Sequence, residues 1–380
     1  MRFPKNSLKT ALSWLCLLFL ASCEEPYAPE VVEGPNSFLV VSGFINSNGP
    51  TTIKLSRTQN LSDESAPKVQ SGATVALEEE NGNTFPLRET EAGTYFASAL
   101  PIIGDKKYRL VISASGDRYA SDYLEVKYTP TIDDITWKTD DGNLQVSVSS
   151  HDDQNNTRYY RWEFEETWEY SAYYYSVLEY VNGQMRDRDP RNQINLCWRF
   201  NNSSSIQIGN TVRLSQDVMS NFPLLSIPSN SEKLNRKYSI LVKQYALTKE
   251  AYDYWEALKK NTESIGTLFD PLPTQLTGNI RSLTTPSEPV IGFMAISSVQ
   301  EKRIFISRSD LPTGWGIRSQ FCPFDTVKVG EEGEYFSGSG YLPVDRIYSN
   351  SMALIGYAGA SSSCVDCRVF GTTQRPAYWQ

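Results

Sequence analysis

The chain of 380 residues carries 36 basic and 44 acidic residues, which gives a formal net charge of −8. Because nucleic-acid recognition needs a basic footprint, this balance argues against a nucleic-acid partner. The length favours two domains over one. Abundant Tyr, Thr, Val and Ser, with recurring Pro and Gly, favours strands over helices.

The chain begins with the pattern of a secretory signal peptide. Arg2, Lys5 and Lys9 precede the apolar run 11–20, which is too short to span a bilayer. The run ends in Leu-Ala-Ser-Cys23, which resembles the bacterial lipobox, where the cysteine is acylated before cleavage. We therefore predict lipid attachment at Cys23 and membrane contact through acyl chains. The alternative is an ordinary signal peptide with a chance cysteine beside its cleavage site.

The predicted signal peptide covers residues 1–22, and a lipidated tether follows over residues 23–36. Glu24 and Glu25 stand directly behind the cysteine, and prolines punctuate the rest of the tether. Acidic residues at this place are similar to an export signal of Bacteroidetes lipoproteins, and a solvated linker is the equal alternative. We expect the protein at the outer membrane, lipid-anchored, on the cell-surface face.

Residues 37–129 are predicted to form an N-terminal β-sandwich. Seven short apolar segments at roughly ten-residue spacing are separated by turn signals such as Asn81-Gly82. The stretch from Gly93 to Leu110 also resembles transthyretin-like modules. The first domain is therefore expected to be an immunoglobulin- or transthyretin-like sandwich.

Residues 130–380 are predicted to form a second, larger β-sandwich-like domain that carries one packed helix. The helix is expected near 249–260, with Thr248 as its N-cap. Its apolar stripe comprises Ala251, Trp255 and Leu258. The later strands are predicted over 205–208, 238–245, 290–294, 302–306 and 351–355.

Four cysteines follow Cys23 in the chain, namely Cys197, Cys322, Cys364 and Cys367. An even number outside the cytosol favours disulfides over a four-thiolate zinc site, and a redox role for the C-x-x-C pair is a third alternative. A bridge directly between Cys364 and Cys367 would be strained. Each is therefore expected to pair with one distant cysteine, and the spacing leaves open which one.

The segment from Tyr159 to Tyr180 holds ten aromatic residues in 22, although only 12% of the chain is aromatic. It is predicted to be part of a long hairpin whose tip leaves the sandwich. Tyr and Trp concentrate at binding surfaces because they supply large, stiff contact areas with a polar group. The candidate binding surface comprises Trp168, Tyr170, Tyr173, Tyr174, Tyr175 and Tyr180. The equal alternative is that half of the aromatic residues fill the core and the rest shield the hairpin.

Several motifs together resemble one known family. They are Lys249–Trp255, Pro273–Ile280, Glu288–Phe293, Cys364–Arg368 and Arg375–Trp379. They are similar to an uncharacterised domain-of-unknown-function family of Bacteroidetes outer-membrane lipoproteins, of the DUF4249 type, often encoded beside TonB-dependent receptors. The resemblance implies a location and a neighbouring receptor, and it carries over no catalytic residue.

The residues give little support for an enzyme. His151 is the only histidine and lies in a polar stretch that is expected to be a solvent-exposed loop. Asp152, Asp153 and Asn155 could offer oxygens to calcium, but they lack EF-hand spacing. No nucleophile elbow, P-loop, zinc-protease or dinucleotide motif is present. We expect no catalytic residues, no cofactor and no metal.

The sequence thus predicts a non-enzymatic lipoprotein that docks on a TonB-dependent receptor or captures ligand for it. The first alternative is a structural or adhesive envelope lipoprotein without a transporter partner. A carboxylate-dependent hydrolase is the second, since paired carboxylates are recognised only by their separation in space.

Overall fold

The computed structural model describes residues 37–59, 66–263, 276–316, 321–338 and 340–380. Within these ranges the chain is mainly β, as the sequence predicts. The predicted signal peptide, the tether and the lipid attachment at Cys23 lie outside the described residues. No helix in these ranges combines the length and the apolar character needed to cross a bilayer.

Eight strands of the N-terminal domain follow the predicted pattern. They are β1 (Leu39–Asn46), β2 (Thr51–Arg57), β3 (Thr74–Glu79), β4 (Thr84–Glu91), β5 (Thr94–Ala97), β6 (Lys107–Ala114), β7 (Asp117–Ser121) and β8 (Leu124–Lys127). Successive side chains of a strand point to opposite faces. On β3 and β6, Val75 therefore lies opposite Ile112 and Leu77 opposite Leu110, with all four buried. The structure has one strand more than the seven predicted segments, because residues 117–127 are divided between β7 and β8.

A segment from the second half of the chain completes this domain. β18 (Ile280–Ser282) pairs antiparallel with β7, and β19 (Ile296–Ser297) lies parallel between β1 and β8. Because β8 also pairs with β6, backbone hydrogen bonds join eight strands in a closed circuit. The buried side chains of Met294 and Ile296 fill part of its core. The predicted boundary at residue 130 placed this returning segment in the second domain.

The residues between β18 and β19 do not form the strand predicted over 290–294. They contribute one isolated bridge, between Ile291 and Val40. The side-chain amide of Asn279 instead donates to the carbonyl of Met294 and accepts from its N–H, both at 2.8 Å. A buried backbone needs such partners, and here an amide side chain supplies what a neighbouring strand would otherwise give.

The second domain is a sandwich of two antiparallel sheets. Its strands are β9 (Ile132–Asp140), β10 (Asn143–Asp152), β11 (Tyr159–Ser171), β14 (Leu196–Asn202), β15 (Gln207–Asn210), β16 (Asp217–Pro228), β17 (Lys237–Leu247) and β20 (Val299–Ser307). One sheet has the order β16-β10-β9, and the other has the order β14-β11-β17-β20 with β15 also on β11. Buried aliphatic residues of β10, such as Val146, pack against buried residues of the other sheet, such as Trp162 and Ile240.

The predicted helix is confirmed as α1 (Lys249–Glu263), and the Thr248 hydroxyl accepts from the N–H of Ala251 at its start. Arg161 of β11 holds the helix on the sheet. Its guanidinium lies 4.1 Å from the centre of the Trp255 ring and 5.0 Å from that of Tyr245. Burial lowers the pKa of Arg161 to about 10, so the group remains a cation at neutral pH.

Two segments distant in sequence form a third unit, which we name the cystine lobe and define as residues 172–195 and 321–365. Its strands and helices are β12 (Leu178–Val181), β13 (Gln184–Asp187), β21 (Asp325–Lys328), α2 (Glu332–Phe336), β22 (Tyr341–Tyr348), β23 (Leu354–Ser361) and α3 (Ser362–Val365). β12 and β13 form a hairpin, and β21-β23-β22 form a sheet. The strand predicted over 351–355 begins three residues later, and α2 and α3 are short helices that the sequence analysis did not predict.

The returning segment should be essential for the stability of the N-terminal domain. Met294→Ala removes a fully buried side chain and should lower the free energy of unfolding by about 2–5 kcal/mol. Urea denaturation followed by circular dichroism measures this. Met352→Ala is the matched control, because Met352 is 79% exposed and its truncation should change stability by less than about 0.5 kcal/mol. Equal stability of the two variants would show that the return does not contribute to the core.

Candidate functional site

Strand β11 carries the aromatic segment from the sandwich to the cystine lobe. Tyr160, Trp162 and Phe164 point into the core between the two sheets. Trp168 and Tyr170 continue on the same face and are also buried. The prediction that Trp168 and Tyr170 belong to the binding surface is therefore wrong. Both lie in the core, and a side chain buried inside the sandwich cannot contact a partner.

Two cations flank the buried Trp168. Arg199 lies 5.3 Å and Lys233 lies 5.2 Å from the centre of its ring. Lys233 also donates to the buried carboxylate of Glu166, which in addition accepts from the hydroxyl of Tyr238 at 2.8 Å. Burying a charge is tolerated when it is paired and hydrogen-bonded. The buried carboxylate of Glu166 is thus both paired and hydrogen-bonded.

The chain leaves β11 after Ser171 and enters the cystine lobe through three consecutive tyrosines. Tyr174 contacts both halves of one disulfide: its hydroxyl donates to the carbonyl of Cys322 at 2.6 Å, and its N–H donates to that of Cys364 at 2.9 Å. Burial, and then the neighbouring Tyr173, raises the pKa of Tyr174, so its phenol stays protonated as the donor. Tyr174 is therefore fixed in place, whereas Tyr173 and Tyr175 are both exposed.

An exposed aromatic surface surrounds Tyr174. Its ring packs edge to face on Tyr173 at 4.8 Å and on Phe324 at 6.3 Å between centroids. Phe324 is 56% exposed, and Phe321, beside Cys322, is 87% exposed. We name Tyr173, Tyr174, Phe321 and Phe324 the aromatic patch. Its two tyrosines were among the predicted surface residues, whereas its two phenylalanines were not, although Phe321-Cys-Pro-Phe324 is a local aromatic signal.

The remaining predicted surface residue, Tyr180, is half-buried on the β12–β13 hairpin, 6.1 Å from the ring of Phe336. Arg188 holds this hairpin from the inside. Its buried guanidinium donates to the carbonyl of Leu178 at 2.8 Å and lies 3.6 Å from the carboxylate of Glu179. Burial lowers the pKa of Arg188. The hairpin is thus a packed part of the lobe, and its side chains stand on a fixed frame.

All four cysteines that follow Cys23 form disulfides, so the prediction of disulfides rather than a four-thiolate zinc site is confirmed. Cys322 pairs with Cys364 inside the lobe, and Cys197 of β14 pairs with Cys367 just beyond it. Each member of the C-x-x-C pair therefore has a distant partner, as predicted. The second bridge joins the lobe to the sandwich.

The lobe exposes many apolar side chains beyond the aromatic patch. Of the 23 large apolar residues exposed in the described ranges, ten lie in it: Tyr173, Tyr175, Phe321, Phe324, Val329, Tyr341, Tyr348, Met352, Leu354 and Ile355. From Ile347 to Val365 the sequence contains no charged residue. Such concentration in one unit is typical of an interaction surface rather than of scattered surface residues.

The buried carboxylates of the described residues have structural partners. Asp217 accepts from the hydroxyls of Tyr160 and Thr211, and Glu79 accepts from the side-chain amide of Asn81 at 3.0 Å. Asp366 is paired with Arg368, as Glu166 is with Lys233. These contacts hold each of the four carboxylates in a fixed position inside the fold.

His151 does not lie in the predicted loop but on β10, where it is exposed. Its Nδ1 lies 2.8 Å from a carboxylate oxygen of Asp133, and this contact raises the pKa of the imidazole. Asp152 accepts from the backbone N–H groups of Gln154, Asn156 and Thr157. Among the described residues, no group of three or more His, Cys, Asp or Glu side chains is arranged to hold a metal ion.

Comparison with known proteins identifies a family. The model of a family described as "Domain of unknown function (DUF4249)" matches residues 24–303. No curated protein matches the chain.

Solved structures with some likeness include three β-rich proteins, all with low TM-scores. A two-domain fibronectin type III segment of chicken tenascin has a TM-score of 0.17 at 11% identity, covering 56% of this chain and 91% of its own. The first three fibronectin domains of chicken CNTN1 score 0.18 at 16%, covering 56% and 63%. A DUF3823 family protein from Bacteroides ovatus scores 0.13 at 13%, covering 55% and 90%. No residue or activity is transferred from them.

The disulfide between Cys197 and Cys367 should determine how firmly the lobe is attached. It closes a separation of 170 residues, so Cys197→Ser with Cys367→Ser should cost about 2–5 kcal/mol. Limited proteolysis of this double variant should cut within 321–365 before it cuts the sandwich. Cys322→Ser with Cys364→Ser is the comparison, because it opens the lobe and leaves its attachment intact. Protease resistance like that of the wild type would contradict the role of the first bridge.

Proposed function

The chain belongs to the DUF4249 family, and from that premise we propose that it is a non-enzymatic, lipid-anchored accessory protein that docks on a TonB-dependent outer-membrane receptor. The observation that carries the proposal is the cystine lobe, a disulfide-bonded unit that presents aromatic and aliphatic side chains to solvent. The N-terminal features support the membrane address, and the lobe supports docking.

The membrane address rests on Cys23 and its surroundings. A ten-residue apolar run, small residues and a cysteine form the pattern of a lipoprotein leader, and the family match begins at the next residue. Two or three acyl chains supply an anchor that does not readily dissociate, at about 0.8 kcal/mol per buried methylene. The folded domains then sit outside the cytosol, in the compartment where disulfides such as Cys197–Cys367 persist.

Binding at the docking surface should cost little side-chain conformational entropy, because the lobe beneath it is crosslinked. The lobe is held by its own disulfide, by the disulfide from Cys367 to the sandwich and by the buried cation Arg188. Side chains presented on such a frame lose little freedom when a partner binds, so more of the contact energy becomes affinity. Tyr173 and Phe324 also have the size and stiffness of residues that dominate measured interfaces.

An apolar hairpin tip extends the surface. The turn between β22 and β23 exposes Met352 at its end, followed by Leu354 and Ile355, in a charge-free part of the chain. A surface without charges requires no desolvation of ions on binding. It suits an apolar partner such as the rim of a membrane receptor.

The anchor is tested by changing its attachment residue. Cys23→Ser removes the thiol that is acylated before cleavage, so the variant should carry no fatty acid and should keep its leader uncleaved. Fractionation followed by intact-mass measurement detects both the location and the lipid mass. Wild-type protein free of fatty acid, or a Cys23→Ser protein whose leader is still removed after residue 22, would refute the lipid anchor.

Docking is tested by gentle detergent extraction from the native membrane and identification of the co-purifying proteins. The double variant Tyr173→Ala with Phe324→Ala should reduce recovery of the receptor about tenfold or more, since central aromatic contacts contribute at least about 1 kcal/mol each. Tyr128→Ala is the matched control, because Tyr128 is 63% exposed but lies outside the lobe.

The outcomes separate the alternatives. Undiminished recovery with the double variant would exclude the aromatic patch from docking. Extraction of the wild-type protein as a lone species would contradict the receptor partner and favour the structural or adhesive envelope protein. Circular dichroism of the variants serves as the control for folding.

A further inference from the structure

A groove of about 720 Å³ lies on the outer face of the three-stranded sheet, and none of its lining residues belongs to the cystine lobe. This volume is within the range of small-ligand sites, roughly 300–1,000 Å³. The residues of β10 that point outward, such as Gln145 and Ser147, form its floor. Their neighbours Val146 and Val148 point into the core.

The concave shape follows from irregular strand pairing. The register between β10 and β16 shifts at Val146/Ser147 and again at Val148/Ser150. The pairing of β10 with β9 shifts at Ser149/Ser150. Bulges of this kind bend strands and increase their twist, and they are common beside functional sites. The outer face is therefore curved here, where a regular sheet would be flatter.

The lining consists mainly of neutral hydrogen-bonding groups: Thr136, Asn143, Gln145, Ser147, Asn221 and Ser226. The amide of Gln145 is fixed by donating to the carbonyls of Leu225 at 3.0 Å and Val146 at 3.2 Å, which leaves its oxygen as an acceptor. The amide of Asn143 is fixed likewise, through the carbonyl of Asp141 at 3.0 Å. The groove thus presents preoriented acceptors.

The floor also holds the side chain of Ser147, which is only 8% exposed. Above it, the Thr136 hydroxyl donates to the side-chain oxygen of Asn221 at 3.1 Å and joins the two outer strands. A serine hydroxyl such as that of Ser147 can both donate and accept a hydrogen bond.

The charges at the groove exclude an anionic ligand. Lys138 is paired with Asp140 at 3.1 Å, and Asp141 at the β9–β10 turn adds a net negative charge. Neutral amides and hydroxyls, with acceptors in excess, match a ligand that carries many hydroxyl donors and no charge. We infer that this groove is a binding site for a neutral oligosaccharide. The site is separate from the docking surface and independent of the proposed receptor partner.

Calorimetric titration of the full-length protein in detergent tests the site. The probes are neutral hexasaccharides derived from β-glucan, α-glucan, mannan and xylan, with an oligogalacturonate as the anionic counterpart. At least one neutral probe should bind with saturation at millimolar concentration or below. Gln145→Leu and Ser147→Ala should each weaken it about three- to tenfold, the effect of one neutral hydrogen bond.

Two controls make the result specific. Gln207→Leu changes a similar side chain on β15, in the opposite sheet, and should bind like the wild type. Both groove variants should keep their receptor co-purification, since the aromatic patch is unchanged. The inference would be overturned if none of the neutral probes showed saturable binding, or if both groove variants bound with wild-type affinity. Equal binding of the oligogalacturonate would also overturn it. If Gln145→Leu folds poorly, Ser147→Ala still tests the site, because it removes a single oxygen and should leave the fold intact.

Discussion

The chain crosses between the first and second domains twice, at Thr129 and again at Ser298, and the two crossings lie side by side. The hydrogen bonds between these two residues are the contact on which the packing of the two domains depends. The Thr129 N–H donates to the Ser298 hydroxyl at 2.8 Å, the Thr129 hydroxyl donates to the Ser298 carbonyl at 2.5 Å, and the Ala246 N–H donates to the Thr129 hydroxyl at 2.9 Å. One buried threonine thus joins the outgoing chain, the returning chain and β17. Buried polar groups that are fully satisfied favour one arrangement over others, because displacing any of them leaves another unpaired.

This junction links the closure of the first domain to the packing of the second. Directly behind Thr129, the carbonyl of Pro130 accepts from Gln244, whose amide also bonds the Ser150 hydroxyl and the indole of Trp162. The same residues therefore fix where β19 enters the first domain and how the two sheets of the sandwich face each other. Strand β11, which carries Trp162, then extends into the cystine lobe. The lobe is consequently positioned by the core of the sandwich rather than by a free linker.

The sequence predicted those features that depend on local pattern. Alternation predicted the strands of the first domain, the Thr248 cap and the apolar stripe predicted α1, and chemistry predicted that Cys364 and Cys367 have distant partners. The return of β18 and β19 could not be predicted, because a two-residue strand such as Ile296–Ser297 has no periodicity and its pairing is decided by distant residues. The same holds for Asn279, whose role depends on a backbone fifteen residues away.

The prediction of the candidate surface was partly wrong, because Trp168 and Tyr170 were placed on the surface against the alternation of side chains along β11. Trp168 and Tyr170 share the even positions of Trp162 on β11, so continuing the alternation would have assigned them to the core. Tyr173 to Tyr175 follow the end of the strand, where alternation no longer applies. Phe321 and Phe324 join them only because the disulfide between Cys322 and Cys364 brings a segment some 150 residues away onto Tyr174.

The exposure of the aromatic patch therefore depends on the two disulfides as well as on the local sequence. Aromatic side chains of this size would gain free energy by burial, at roughly 25 cal/mol per Å² of apolar surface. In the cystine lobe the cores on either side of the patch are already filled, by Val344, Ala360 and Val365 near the disulfide and by Leu178 and Phe336 near the hairpin. The disulfides Cys322–Cys364 and Cys197–Cys367 crosslink the lobe, and within the described residues Tyr173 and Phe324 stay exposed, which is the observation that supports the proposed docking.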